Sequence, residues 1–189
     1  MMMNPTLWRT SRVLAGETRL GLLRLIVQYP DRTVSNLAER AGISQSRASQ
    51  ELRRLQSRGL VRAVRSGPIV RYRPVTDPQV PSANPLLTAL QKAFAREPNA
   101  DHAEIIRIAK GFSHTRRLAV LRTLCQEPAD LRTLIQTTGI SRASLQRHVR
   151  TLKACGLVAR YGRMYRVLPG SHPLLVCLIR LLQPPRRAG

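Results

Sequence analysis

Arginine, glutamine and serine crowd two short stretches of this chain, and these are side chains that grip nucleic acid. Gln45 to Arg73, 29 residues, holds eight Arg and a single acid, Glu51. Arg142 to Arg166, 25 residues, holds six Arg and Lys153 with no acid. Together, 15 of 32 basic residues but only one of 10 acidic residues fall in 54 of 189 positions. A genome-wide bias toward Arg would raise Arg everywhere without stripping Asp and Glu from two segments alone. Acid depletion therefore marks a polyanion-binding face. Arg can fork onto guanine O6 and N7, Gln onto adenine N6 and N7, and Ser reaches either base edge or phosphate. Aromatic residues are only 4% of the chain, which argues against single strands stacked on aromatic rings.

Other chemistries find little support. Cys125, Cys155 and Cys177 form no CxxC pair, and His102, His114, His148 and His172 are scattered, so neither a disulfide framework nor a metal cluster is expected. Cys125 is expected on a buried stripe and Cys177 in the terminal helix. Cys155 aligns with a surface position, Arg58, where basic neighbours would favour thiolate. His148 is expected as a surface residue or nucleic-acid contact. No two-carboxylate, Ser-His-Asp or Gly-rich phosphate-loop arrangement is discernible, so catalysis and a cofactor are not expected. The longest strictly apolar run, Leu174 to Ile179, is six residues, far below the roughly 20 that span a bilayer. With no leader-like apolar core at the N-terminus, a cytoplasmic, nucleoid-associated location is expected. A net charge of +22 beside 43% hydrophobic residues describes a folded basic protein.

The elements that position these residues are legible because the chain repeats itself. Gly42 to Val61 aligns without a gap on Gly139 to Val158, 97 residues on, with eight of 20 positions identical. Arg19-Leu20 recurs as Arg117-Leu118, Tyr72-Arg73 as Tyr165-Arg166, and Pro85-Leu86-Leu87 as Pro173-Leu174-Leu175. Two small domains are expected, 1–96 and 97–189, with the seam at Glu97 to Asp101, where Pro98 and Asn99 break the preceding helix.

Within the first copy, Leu20, Leu23, Ile26 and Val27 form one apolar helical stripe. Val34, Leu37 and Ala38 mark a short second helix that stops at Gly42. Ser44 is a plausible N-cap for a longer helix whose Ala48, Leu52 and Leu55 are buried. Two helices joined by a Gly turn, the second basic, describe a helix-turn-helix. Leu60 to Val64 and Ile69 to Arg73 then read as a hairpin, a wing, around a turn at Arg65 to Pro68. The second copy has a shorter hairpin turning at Gly162-Arg163. Each copy ends in an apolar helix. Ile135 and Leu145 stand where the first copy has Ala38 and Ala48, which predicts a wider spacing of the second pair of helices.

Leu14-Ala-Gly-Glu-Thr-Arg19, Leu22-Leu23, Ile43-Ser44-Gln45-Ser46, Gly59-Leu60-Val61 and Tyr72-Arg73 resemble the ArsR-type winged-helix regulators of bacteria and archaea. The resemblance implies a mostly α fold with short β-hairpin wings, here as tandem winged helix-turn-helix domains. It implies duplex DNA as partner, bound by a dimer whose interface uses the apolar terminal helices. Two copies in one chain can then form a monomeric pseudo-dimer, a true homodimer with four heads being the rival.

A helical wheel from Ala48 turns Ser46, Gln50 and Arg53 toward the groove, flanked by Ser49 and Arg54, with Gln45 and Arg47 in the first turn. Arg65 and Arg71 of the first wing join them as candidate DNA contacts. In the second copy the candidates are Arg142, Ser144, Gln146, Arg147 and Arg150, with Arg163 of the wing. The N-terminal part of the second helix approaches base edges in such domains, while wing arginines favour phosphate or minor groove. Because the two sets differ, the expected site is asymmetric, its halves roughly 34 Å apart. The alternative from another class is an architectural or protein-interaction module whose charge only anchors it to DNA.

Overall fold

The computed structural model describes residues 7–96 and 102–183, so the expected seam at Glu97 to Asp101 lies outside the described residues. The chain divides into two compact units, Val13–Ile106 and Met1–Arg12 with Arg107–Gly189. The described residues are mostly helical, with two small antiparallel sheets.

After α1 (Leu7–Leu14), the first unit runs α2 (Glu17–Gln28), β1 (Arg32–Thr33), α3 (Val34–Arg40), α4 (Gln45–Gln56), β2 (Arg62–Ser66), β3 (Ile69–Arg73) and α5 (Ala83–Arg96). Local chemistry sets the boundaries. Thr33 caps α3 by accepting from the Asn36 N–H at 3.3 Å, and Ser44 caps α4 by accepting from the Arg47 N–H at 3.2 Å. Gly42 between the two helices has φ 63°, and a Cβ there would meet nothing within 4 Å. Its requirement is purely conformational.

Leu20, Leu22, Leu23 and Ile26 of α2 are fully buried, as are Leu37, Ala48, Leu52, Leu55, Leu86 and Leu90 from the surrounding helices. Val27, expected in the stripe, is half-buried, and Leu22 takes a place inside instead. The cause is that α2 packs against α3, α4 and α5, so its apolar surface is wider than a single stripe. Each such leucine contributes roughly 1.5–3 kcal/mol by leaving water.

The hairpin differs from expectation in two ways. β2 continues to Ser66, which shortens the turn to Gly67-Pro68. A third strand, the two-residue β1, pairs with β3 through Arg32↔Tyr72 and Thr33↔Arg71, giving the order β1-β3-β2.

The same order of elements recurs in the second unit. After α6 (Ala103–Phe112) come α7 (Thr115–Gln126), β4 (Ala129–Asp130), α8 (Leu131–Thr138), α9 (Arg142–Ala154), β5 (Val158–Tyr161), β6 (Met164–Val167) and α10 (Pro173–Leu182). Asp130 caps α8 through the Thr133 N–H at 2.8 Å. Leu118, Leu121, Leu134, Leu145, Val149, Leu152, Leu174 and Leu178 make the core. Leu145 is fully buried where α4 carries Ala48, and α8 meets α9 more sparingly than α3 meets α4. At Gly111 the backbone of α6 runs so close to Leu157 that an added Cβ would collide with its Cδ1.

Candidate nucleic-acid interface

Ala48, Leu52 and Leu55 press one side of α4 into the core, which turns Gln45, Ser46, Arg47, Gln50, Arg53 and Arg54 outward as exposed side chains. Ser49 is half-buried at the edge of that face. Arg47 is steadied by donating to Thr18 Oγ1 at 3.1 Å.

Glu51, the lone acid of the segment, is inside. Its carboxylate accepts from Arg19 Nη1 at 2.8 Å and from Arg54 Nη1 at 2.9 Å. Burial alone would raise its pKa, but the Arg19 hydrogen bond and charge, with Arg54 behind them, outweigh burial and hold it below the ordinary carboxylate value. The acid is thus ionised, neutralised and withdrawn from the outer face, where it would otherwise repel phosphate.

On the wing, Arg62, Arg65, Arg71 and Arg73 are exposed. Arg73 Nε pairs with Asp31 Oδ1, and Arg71 Nη1 donates to the Asp31 carbonyl at 3.0 Å. These two are oriented by the turn before β1. Arg65, near the hairpin tip, makes no such bond among the described residues.

In the second unit Arg142, Gln146, Arg147 and Arg150 of α9 and Arg163 of the wing turn are exposed. Ser144 is a correction. It is 8% exposed and its Oγ accepts from Arg116 Nη1 at 2.9 Å, so it positions an arginine of α7 and does not face a groove. His148 is another, at 5% exposure with its ring 4.6 Å from that of His114. Burial first, then the charges of His114, Arg117, Arg147 and Arg116, push its pKa down to about 4. The physical reason is a wider buried side: Ser144, Leu145, His148, Val149 and Leu152 all point inward.

Cys155 also departs from expectation. It is buried, Arg107 Nη1 donates to its carbonyl at 2.7 Å, and burial raises the thiol pKa despite Arg117, Arg107 and Lys110 nearby. Cys125 and Cys177 are half-buried, and burial raises both. Among the described residues no group of three or more His, Cys, Asp and Glu could hold a metal ion, and no helix is long and apolar enough to cross a membrane.

Sequence reasoning passed over Arg19 and Arg116, which hold Glu51 and Ser144 in place. The recurrence of Arg19 as Arg117 was the available signal for the first. Arg117 has no such carboxylate: it donates to the carbonyls of Gly111 at 3.0 Å and Lys110 at 2.8 Å and to Ser113 Oγ at 2.9 Å, its Nε keeping the backbone bond that Arg19 Nε makes to the Val13 carbonyl at 2.6 Å.

Comparison with known proteins places this geometry. Residues 17–68 match the MarR family, and residues 107–170 match the HVO_A0261 N-terminal domain. A protein of Streptomyces lividans described as "Probable mercury resistance operon repressor" is 46% identical over 72 residues, which are 38% of this chain and 56% of that protein. The chain thus spans little more than half the length of this relative. No solved structure matches. The motifs resemble the ArsR type, whereas the family matched at residues 17–68 is MarR; the two readings share the winged helix-turn-helix.

Proposed function

We propose that this protein is a cytoplasmic, nucleoid-associated regulator of transcription that binds duplex DNA through two winged-helix reading heads in one chain, domains 1–96 and 97–189, acting as an intramolecular pair. The observation that carries this reading is the outer face of α4. Six candidate contact side chains stand exposed there, and the one acid of the segment is buried between two arginines. Recurrence of the same element order in the second unit, with Arg142, Gln146, Arg147 and Arg150 exposed, supports a second head. The relative's description as a repressor makes repression the proposed sign of control. No catalysis and no cofactor belong to the proposal.

Selection of bound duplexes from a random pool, followed by salt titration on selected and random sequences, tests it. A selected motif with two unlike half-sites, held at least about a thousandfold more tightly than random duplex at physiological salt, is the expected result. Equal affinities with the same salt slope would overturn it, because base contacts would then add nothing to counterion release. That outcome would leave an architectural protein.

A further inference from the structure

Three of the four histidines of the chain, His114, His148 and His172, lie in the second unit. Each is used there as a neutral ring. His114 is the N-cap of α7, its Nδ1 accepting from the Arg116 N–H at 3.1 Å. His172 does the same for α10, its Nδ1 accepting from the Leu174 N–H at 3.2 Å. His148 lies on the buried side of α9 with its ring 4.6 Å from that of His114, and its Nε2 has no hydrogen-bond partner among the described residues.

A protonated imidazole has no lone pair left, so it donates but cannot cap. It also sets positive charge at a helix N-terminus, the end whose dipole is already positive. A charged His148 would meet no compensating carboxylate. Arg116 and Arg117 of α7 and Arg147 of α9 act on both rings, and Arg12 of α1 acts on His114. The other elements packed on α9, α8 and β5, carry Arg132, Arg160 and Tyr161 and no acid. Burial first, then these cations, keeps the His148 ring neutral.

The first unit is built otherwise at the same places. The repeat puts Gly16 and Glu51 where His114 and His148 stand. Gly16 begins α2 without a side-chain cap, and Glu51 is a fixed charge between Arg19 and Arg54. Held below its ordinary 4.5, Glu51 keeps its charge through the interval in which the imidazoles gain theirs. His102, the histidine of the first unit, packs edge-on against Phe94 of α5 and lies outside α2, α3 and α4. In the second unit α7 packs against α8, α9, α10 and β6, so an uncapped α7 removes the support on which α9 rests.

We propose that these three histidines form a proton-operated catch on the second unit: acid uncaps α7 and α10, charges the buried side of α9 and frees that helix, while α2 and α4 of the first unit stay closed. A ring whose folded-state pKa is depressed to about 4 stabilises above 6.5 and ceases to as pH falls, so at pH 5 His148 alone favours the opened state about thirtyfold relative to neutrality. The consequence for DNA rests on the proposed function. The chain passes from two reading heads to one on acidification, although its net positive charge grows.

Hydrogen exchange of the full chain, read segment by segment by mass spectrometry between pH 7.5 and pH 5 and corrected for intrinsic exchange, tests the catch. The expected result is exchange about tenfold or more faster in α7 and α9 at pH 5, with α2 and α4 unchanged. H114N/H148L/H172N, whose asparagines cap without titrating, should lose that acceleration. Equal loosening of both units, or a triple variant that follows the native chain, overturns the proposal. Should the triple variant not fold, proton NMR of the native chain decides. The ring protons of His114 and His148 are expected to titrate together with the loosening of α9, and titration while α9 stays protected overturns the catch. Footprinting on a selected duplex at pH 5 is expected to protect one half-site, and protection of both overturns the release of α9. A native chain that selects no duplex at any pH sinks the regulator reading, yet the exchange result still decides for or against the catch.

Discussion

Arg19 of α2 donates to Glu51 of α4, 32 residues on in sequence, at 2.8 Å, joining the two helices beneath the candidate DNA face. Both side chains are mostly withdrawn from solvent, at 19% and 12% exposure, so the pair acts in a medium where charges interact more strongly than at the surface. Arg54, at 56% exposure, adds little to stability.

Replacing Glu51 by Gln leaves Arg19 partly buried without its counter-charge, and should cost about 2 kcal/mol of stability at pH 7. The pH dependence has a definite sign. Glu51 has its folded-state pKa lowered from 4.5, so its contribution is present above the unfolded value and is lost as pH falls through the folded one. Urea unfolding followed by circular dichroism from pH 7 to pH 3 should show the gap between native chain and variant closing on the acid side. A gap that stays constant would mean the pair does not contribute through charge.

The second unit has His148 where the first has Glu51, and its acid response should start at higher pH. With its folded-state pKa at about 4 against an ordinary 6.5, the neutral ring stabilises fully above 6.5 and that contribution fades as pH falls toward 4. The loss approaches about 3 kcal/mol once the ring must charge inside the unit. His148→Leu keeps an apolar group of similar bulk and should reduce the fall of unfolding free energy across this window, the slope that remains belonging to His114, whose pKa burial and Arg117 also lower. If native chain and variant fall in parallel, His148 is not the titrating group.

Base reading and phosphate gripping leave different marks in binding. Gln50→Ala and Arg147→Ala should each cost ~1–3 kcal/mol on a selected site with little change on random duplex. Fluorescence anisotropy on both DNAs checks this directly. An equal loss on every sequence would reassign those side chains to the backbone.

The three thiols, one buried and two half-buried, should be slow to react. Burial raises the pKa of Cys155, Cys125 and Cys177, so little thiolate exists near neutrality. Ellman's reagent at pH 7.5 should titrate Cys155 only on unfolding. Rapid labelling of Cys155 in the folded chain would restore the exposed-thiolate reading.

What the sequence disclosed, and what it hid, divides along a physical line. Helices with an apolar period and a Gly turn announce themselves locally, so α2, α3, α4 and the hairpin were legible. β1 and β4 were not, because two residues carry no period and their pairing with β3 and β6 is decided by tertiary register. The outward set on α4 followed from Ala48, Leu52 and Leu55. Ser144 and His148, expected as a DNA contact and a surface residue, are internal, since α9 buries a broader side and polar residues there are satisfied by Arg116 or packed on His114. Glu51 reads in sequence as one acid among arginines on a solvated helix. Only its partner across the fold, Arg19, makes it internal.

The short strand β1 has a mechanical consequence. It runs directly into α3, and its Arg32 lies opposite Tyr72 in β3, so the root of the hairpin and the entrance of the helix-turn-helix share one backbone ladder. Hairpin and α4 are thereby set at a fixed interval, like the jaws of a gauge. Under the proposed function, a duplex seated on this unit would bring its adjoining grooves to that interval at its own elastic expense, which varies with the stiffness of the base steps between them. Sequences would be sorted partly by how readily they deform, at positions no side chain touches.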